Sequence, residues 1–315
     1  MQKVDAVFEG GGVKGTAFIG AITVTEKNGY QFDHLAGTSA GAIVAALLAA
    51  GYTALELREI LNSVDYRRFL DKRWLSYIPL IGSALTALFY QGLYQGNALE
   101  KWLEELLADK GVYTFADLIH PLHATNPQYR YRLRVIASNL SRGTILALPQ
   151  DIAYYGIDPD DLSVARALRI SLGLPFFFEP VILKDSFGDP NHIVDGGVLS
   201  KFPLTIFQEQ QGDHPWPTLG YKLVEPINTR GMRIRGPIAF LKALITTLLQ
   251  AQENFHIPDS NFTKTIPIPT LGVEPTDFDL SLEKREALYR SGEEAAEKFF
   301  ATHQPETEPL ILPPV

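Results

Sequence analysis

The sequence predicts an α/β protein built on parallel strands, and three observations carry that expectation. Two successive units of short apolar strand, glycine-containing turn and small-residue helix occupy residues 4–51. Their glycines fall at the carboxyl ends of the strands, where parallel α/β sheets gather their functional groups. Later apolar runs, Arg132 to Asn139 and Leu219 to Val224, have the length and composition of further buried strands.

The elements follow in order. Val4 to Phe8 is an apolar run with one Asp that ends at glycines, as a buried parallel strand does. Thr16 to Thr25 is rich in small and apolar residues, and Lys27-Asn28-Gly29 supplies a helix stop. Phe32 to Ala36 is the second strand and Gly37 to Gly41 its turn. Ala42 to Ala50 is a helix apolar all round, hence buried, with Gly51 closing it. Thr53-Ala54-Leu55-Glu56 reads as a capping box opening an amphipathic helix, and Asn97-Ala98-Leu99-Glu100 as a second box.

Between those helices, residues 66–94 mix Arg67, Arg68, Lys72, Arg73 and Trp74 with apolar runs. That composition suits a lid or a segment lying in a membrane interface, and equally a piece of core. Ser163 to Ser171 is a short helix, and Ile193-Val194 a very short strand that delivers Asp195 into Gly196-Gly197. Thr265 to Ile268 is an edge strand, because Pro267 and Pro269 cannot donate to a ladder. Residues 238–250 and the stretch from Ser281 to Phe300 are helical. No repeat, low-complexity block or linker interrupts residues 1–303, which read as one domain followed by a proline-rich extended tail over 304–315.

Composition narrows the function classes. Lys and Arg number 28 against 36 Asp and Glu, a net charge of −8, and the basic residues are scattered, which argues against nucleic acid as a partner. The absence of Cys removes disulfides, thiol nucleophiles and Cys-ligated metals. The first eight residues lack the apolar region of a signal peptide. Residues 77–90 are broken by Pro79 and Gly82 and fall short of the ~20 apolar residues of a membrane span. A soluble, cytoplasmic protein is expected.

Chemistry points to Ser39. Gly37-Thr38-Ser39-Ala40-Gly41 has the form of a nucleophile elbow, a strained strand-to-helix turn that exposes the serine oxygen. Gly10, Gly11 and Gly12, with Val13 beside them, offer backbone N–H groups just ahead of a helix, suited to a developing oxyanion. A phosphate loop is the competing reading of Gly10 to Gly15. Walker spacing is missing, however, and Thr38 and Ser39 stand where a dinucleotide site would place an acid. The base is open: Asp195 followed by His214 or His256 gives the order of a triad, but neither His occupies a catalytic-looking loop, and His120, His123 and His192 are no better placed. Asp195 itself ends an apolar strand and precedes two glycines, which would expose its carboxylate.

Glu9-Gly10-Gly11-Gly12-Val13-Lys14-Gly15, Gly37-Thr38-Ser39-Ala40-Gly41 and Asp195-Gly196-Gly197, in this order, resemble the patatin-like phospholipase family. Arg169 to Pro175 and the phenylalanines after it are similar to the family's segment before the Asp strand, so the resemblance spans about residues 4–300. It implies a three-layer α/β/α sandwich with a mainly parallel sheet, and a lipid acyl hydrolase with a Ser–Asp dyad. Ser39 would then be the nucleophile, Asp195 the base, and the Gly10–Val13 backbone the oxyanion hole. Lys14 stands where the family has Arg or Lys, and Glu9 departs from the Asp often found there. Neither a metal nor a cofactor is implied; the partner is a lipid ester, with transient contact to a membrane surface. A carboxylate base with an ordinary pKa near 4 is poorly matched to a serine, so burial should raise it. A carboxylesterase or thioesterase, and a non-catalytic lipid- or nucleotide-binding protein on the same fold, remain open at this point.

Overall fold

The computed structural model describes residues 2–73, 89–207, 216–226 and 263–303, with 234–236 and positions 240, 243 and 247. The chain opens with β1 (Gln2–Phe8), α1 (Thr16–Lys27), β2 (Tyr30–Thr38), α2 (Ala40–Ala49) and α3 (Ala54–Ser63). It continues through β3 (Gly92–Tyr94), α4 (Asn97–Asp109), β4 (Leu133–Asn139), β5 (Thr144–Leu148) and α5 (Val164–Ser171). Then come β6 (Phe176–Phe178), β7 (Val181–Lys184), β8 (Pro190–Asp195), β9 (Thr218–Val224), β10 (Thr263–Pro269) and α6 (Leu282–Thr302).

The main sheet runs in the order β10-β9-β1-β2-β4-β8-β7, with β5 also on β4, while β3 and β6 form a small separate pair. From β10 to β4 every pairing is parallel, and the proline-containing β10 takes the edge as expected. The Asp strand departs from a parallel arrangement: β8 is antiparallel to β4, as is β5. Because β5 covers Val135 to Asn139, both β2 and β8 must lie along the other edge of β4. There Thr38 of β2 pairs with Ile136, and Asp195 of β8 with the next residue, Ala137. Two strands therefore meet head to head, and their carboxyl ends bring residues 39 and 195 together.

Burial follows the periodicities. Val4, Ala6 and Phe8 enter the main core with Phe18 and Ile22 of α1 and the nearly uniformly apolar α2, whereas Val7 and Ala36 pack with Leu204 and Phe207 on the other face. The Thr53–Glu56 capping box forms. The one expected at Asn97 does not. Gly96, at φ 79°, precedes α4, and the carboxylate of Asp71 accepts its N–H at 2.7 Å and that of Ala98 at 3.0 Å. A remote acid thus caps the helix in place of the adjacent asparagine. The core of the expected lid, 74–88, and the tail from 304 lie outside the described residues, as does nearly all of the helix expected at 238–250.

Candidate active site

Ser39 lies between β2 and α2 at φ 54° and ψ −127°, a conformation that costs a non-glycine residue on the order of 1–3 kcal/mol. Its neighbours hold it there. The Ser39 N–H donates to Ser171 Oγ at 2.9 Å, and that hydroxyl donates to the Ile136 carbonyl at 2.5 Å. Thr38 Oγ1 donates to the Ser200 carbonyl at 2.9 Å. Gly41 lets α2 start against the end of β1: a Cβ there would stand 2.4 Å from the Phe8 carbonyl oxygen. Gly37 serves the same turn, since its Cβ would meet the backbone of Gly41 at 2.5 Å.

Asp195 ends β8 and caps the short helical turn Gly196–Val198, its Oδ1 accepting the Gly197 N–H at 2.7 Å. At Gly196 a Cβ would lie 2.3 Å from the Ile136 carbonyl oxygen, so the head-to-head junction requires glycine. The Ser39 side chain stands beside the Asp195 carboxylate and favours its charged form. Burial pushes that carboxyl up to about 6, opposed by the nearby Ser39 hydroxyl and the Gly197 N–H. A carboxylate raised this way is a better proton acceptor at neutral pH than an exposed one.

The glycine loop borders the same cavity, and the structure narrows its donors. The Gly10 N–H is engaged by the Lys201 carbonyl at 2.9 Å and the Val13 N–H by the Pro275 carbonyl at 3.1 Å. Of the four expected oxyanion donors, Gly11 and Gly12 are left with no acceptor for their N–H groups among the described residues. Gly12 adopts φ 57°, which a side chain would resist. Gly15 lies at ordinary contact distance from Ala40. Lys14 is fully buried and paired with Glu225, while Glu9 pairs with Lys201 at 3.2 Å and accepts the Leu223 N–H at 2.5 Å. These bonds tie the loop to the end of β9 and its exit.

The cavity measures about 570 Å³, within the usual range for small-ligand sites. Ser39, Asp195 and the glycines line it together with Val44, Phe69, Trp102, Leu172, Phe177 and Phe278. Phe69 and Leu93 bring the two described ends of the 66–94 segment to its wall. Among the described residues no histidine lines it. His192 lies on the β7–β8 hairpin against Ser141, His120 and His123 sit elsewhere beside Asp33, and His214 and His256 are outside the described residues. Sequence reasoning missed Ser171 as a support of the elbow, although it stands in the Arg169–Pro175 segment; no local pattern marks a hydroxyl aimed at a remote amide.

Residues 6–207 match the family model described as patatin-like phospholipase, a span that carries both the elbow and the Asp195 turn. The chain belongs to the patatin-like phospholipase family. Lipid ester hydrolysis is the activity class which that family membership supports. This patatin-like chain is 40% identical over 298 residues to the uncharacterized protein YqhO of Bacillus subtilis (strain 168), covering 94% of this chain and 97% of that one. It is 25% identical over 204 residues to the probable lipid hydrolase 463L of Invertebrate iridescent virus 6, covering 64% of this chain and 61% of that one. Among solved structures, VipD from Legionella pneumophila shares the fold, with a TM-score of 0.55 at 16% identity over 96% of this chain and 67% of that one. Among the described residues no helix is long and apolar enough to cross a membrane.

Proposed function

We propose that this patatin-like protein hydrolyses the acyl esters of phospholipids and lysophospholipids through a Ser39–Asp195 dyad and an acyl-enzyme. The observation that carries the proposal is a buried carboxylate, raised to about 6, beside a strained serine on the wall of an apolar cavity. Ser39 Oγ attacks the ester carbonyl carbon as its proton passes to Asp195. The N–H groups of Gly11 and Gly12 receive the oxyanion, each well-aimed donor contributing on the order of 3 kcal/mol. Collapse expels the alcohol, which takes the proton from Asp195. Water then attacks the acyl carbon, giving a proton to Asp195; collapse frees the fatty acid, and the proton returns to Ser39. The apolar walls take the acyl chain, and reaching such a substrate entails transient contact with a lipid surface.

Fatty-acid release from phosphatidylcholine vesicles, lysophospholipid, triacylglycerol and an acyl thioester tests this. Wild-type protein should act on the first two, and Ser39→Ala should lose turnover by roughly 10³–10⁴ or more with no loss in unfolding temperature. Wild-type turnover in Ser39→Ala would remove the nucleophile assignment, and activity confined to the thioester would replace the substrate class.

A further inference from the structure

On the face of the sheet that carries Val7, Ala36 and Phe207, β1, β2 and the turn before β4 bring two aspartates and three histidines together. Between the pairs Val4–Phe32 and Ala6–Leu35, β2 holds one residue more than β1, so Asp33 and His34 bulge opposite Asp5. Asp33, His120 and His123 have ligand atoms within 4.8 Å of one another, and so do Asp5, Asp33 and His34. Asp5, Asp33, His34 and His120 are all at most 5% exposed, whereas His123 is half-buried and forms the rim.

The spacing of these atoms fits a metal ion. His34 Nδ1 lies 3.3 Å from Asp33 Oδ2 and 3.5 Å from Asp5 Oδ1. Ligand atoms at 2.0–2.1 Å around a tetrahedral ion stand about 3.3–3.4 Å apart. His34 Nε2 faces the Tyr129 carbonyl at 3.1 Å and can only donate to it, which fixes the ring and turns Nδ1 toward the two carboxylates. Metal-bound histidines are commonly held in this manner. Asp33 Oδ2 is buried and makes a well-formed hydrogen bond to neither His34 nor His120 among the described residues, although His120 Nε2 is also 3.3 Å away. The other oxygen of Asp33 is held by Lys3 at 2.7 Å. His120 Nδ1 accepts the Leu122 N–H at 3.2 Å, so a neutral His120 carries its proton on Nε2, toward Asp33, as an outer partner.

We propose that Asp5, Asp33 and His34 bind one divalent transition-metal ion of the zinc class, with water completing the coordination and His120 and Lys3 supporting Asp33. Asp33 and His34 precede Ser39 on β2 by about 15–20 Å of strand. The ion would pin the β2 bulge to β1 and take no part in ester chemistry.

The full chain, stripped with a chelator, should be titrated with Co²⁺ and separately with Zn²⁺. One equivalent of Co²⁺ should give the visible bands of a four-coordinate site, and saturating Zn²⁺ should raise Tm by roughly 5 °C. His34→Gln should bind at least about tenfold more weakly, and Asp33→Asn should abolish the bands. A protonated His34 could satisfy the same carboxylates without any metal. That alternative predicts no stoichiometric Co²⁺ spectrum and no Zn²⁺-dependent shift in Tm, and either absence would overturn the proposal. Unchanged affinity in His34→Gln would do the same, by assigning the binding to another place.

Discussion

Asp195 and Asp33 are both buried aspartates of the central sheet, and their surroundings drive them in opposite directions. Burial raises Asp195 to about 6, with the Ser39 hydroxyl and the Gly197 N–H in opposition. Burial pushes Asp33 up as well, but the neighbouring His34, Lys3 and His120 outweigh it and hold the carboxyl well below the ordinary range. One carboxylate is left nearly alone in apolar surroundings, where taking a proton is easy. The other sits beside Lys3 and two imidazoles, where it stays charged. The first arrangement suits a base that must cycle, the second a fixed anchor for positive charge.

Asparagine at each position is the strongest way to break this comparison. Asp195→Asn should lower ester turnover by about 10⁴, on the scale of a lost catalytic base. Its stability should move the other way. The folded value of about 6 lies above the ordinary 3.8, so the favourable contribution of the protonated carboxyl is complete below pH 3.8 and lost as pH rises through 6. Chemical denaturation at pH 4 and pH 8 should therefore show Asp195→Asn gaining on wild type by on the order of 3 kcal/mol. Asp33→Asn, measured the same way at pH 7, should destabilise by about 3 kcal/mol, because Lys3 and His34 would face a neutral amide. Equal losses in both variants would erase the distinction.

A smaller effect sharpens the catalytic half. Ser171 touches no reacting atom; it positions Ser39 by accepting its N–H while donating to Ile136. Ser171→Ala should reduce kcat roughly tenfold with KM nearly unchanged, and cost about 1–2 kcal/mol of stability for the unpaired amide. A change confined to KM would remove that positioning role.

The two regions also differ in how far they can be read from sequence. The elbow, the glycine loop and Asp195-Gly196-Gly197 are local patterns, because backbone that must turn sharply or pass within contact of another strand demands glycine at fixed offsets. What they did not reveal is direction: nothing in Ile193-Val194 shows that β8 runs against β4, and that reversal is what sets Asp195 beside Ser39. The engaged amides of Gly10 and Val13 depend on carbonyls of Lys201 and Pro275, far along the chain. The Asn97 box failed for a similar reason, since Asp71 occupies the role. The Asp33 cluster is assembled by a one-residue bulge and a turn, and its only local traces are the adjacency of Asp33 and His34 and the spacing of His120 and His123. Neither trace shows that the two converge.

The dyad itself is tested most directly by the rate at which a fluorophosphonate labels the protein between pH 5 and 8, read by intact mass and peptide mapping. One label should appear, on Ser39, at a rate that rises with pH up to about 6 and levels above it, following Asp195. In Asp195→Asn the rate should fall by about 10³ or more across the whole range. Labelling of Asp195→Asn at the wild-type rate, or a profile abolished by replacing a single histidine, would contradict a Ser39–Asp195 dyad.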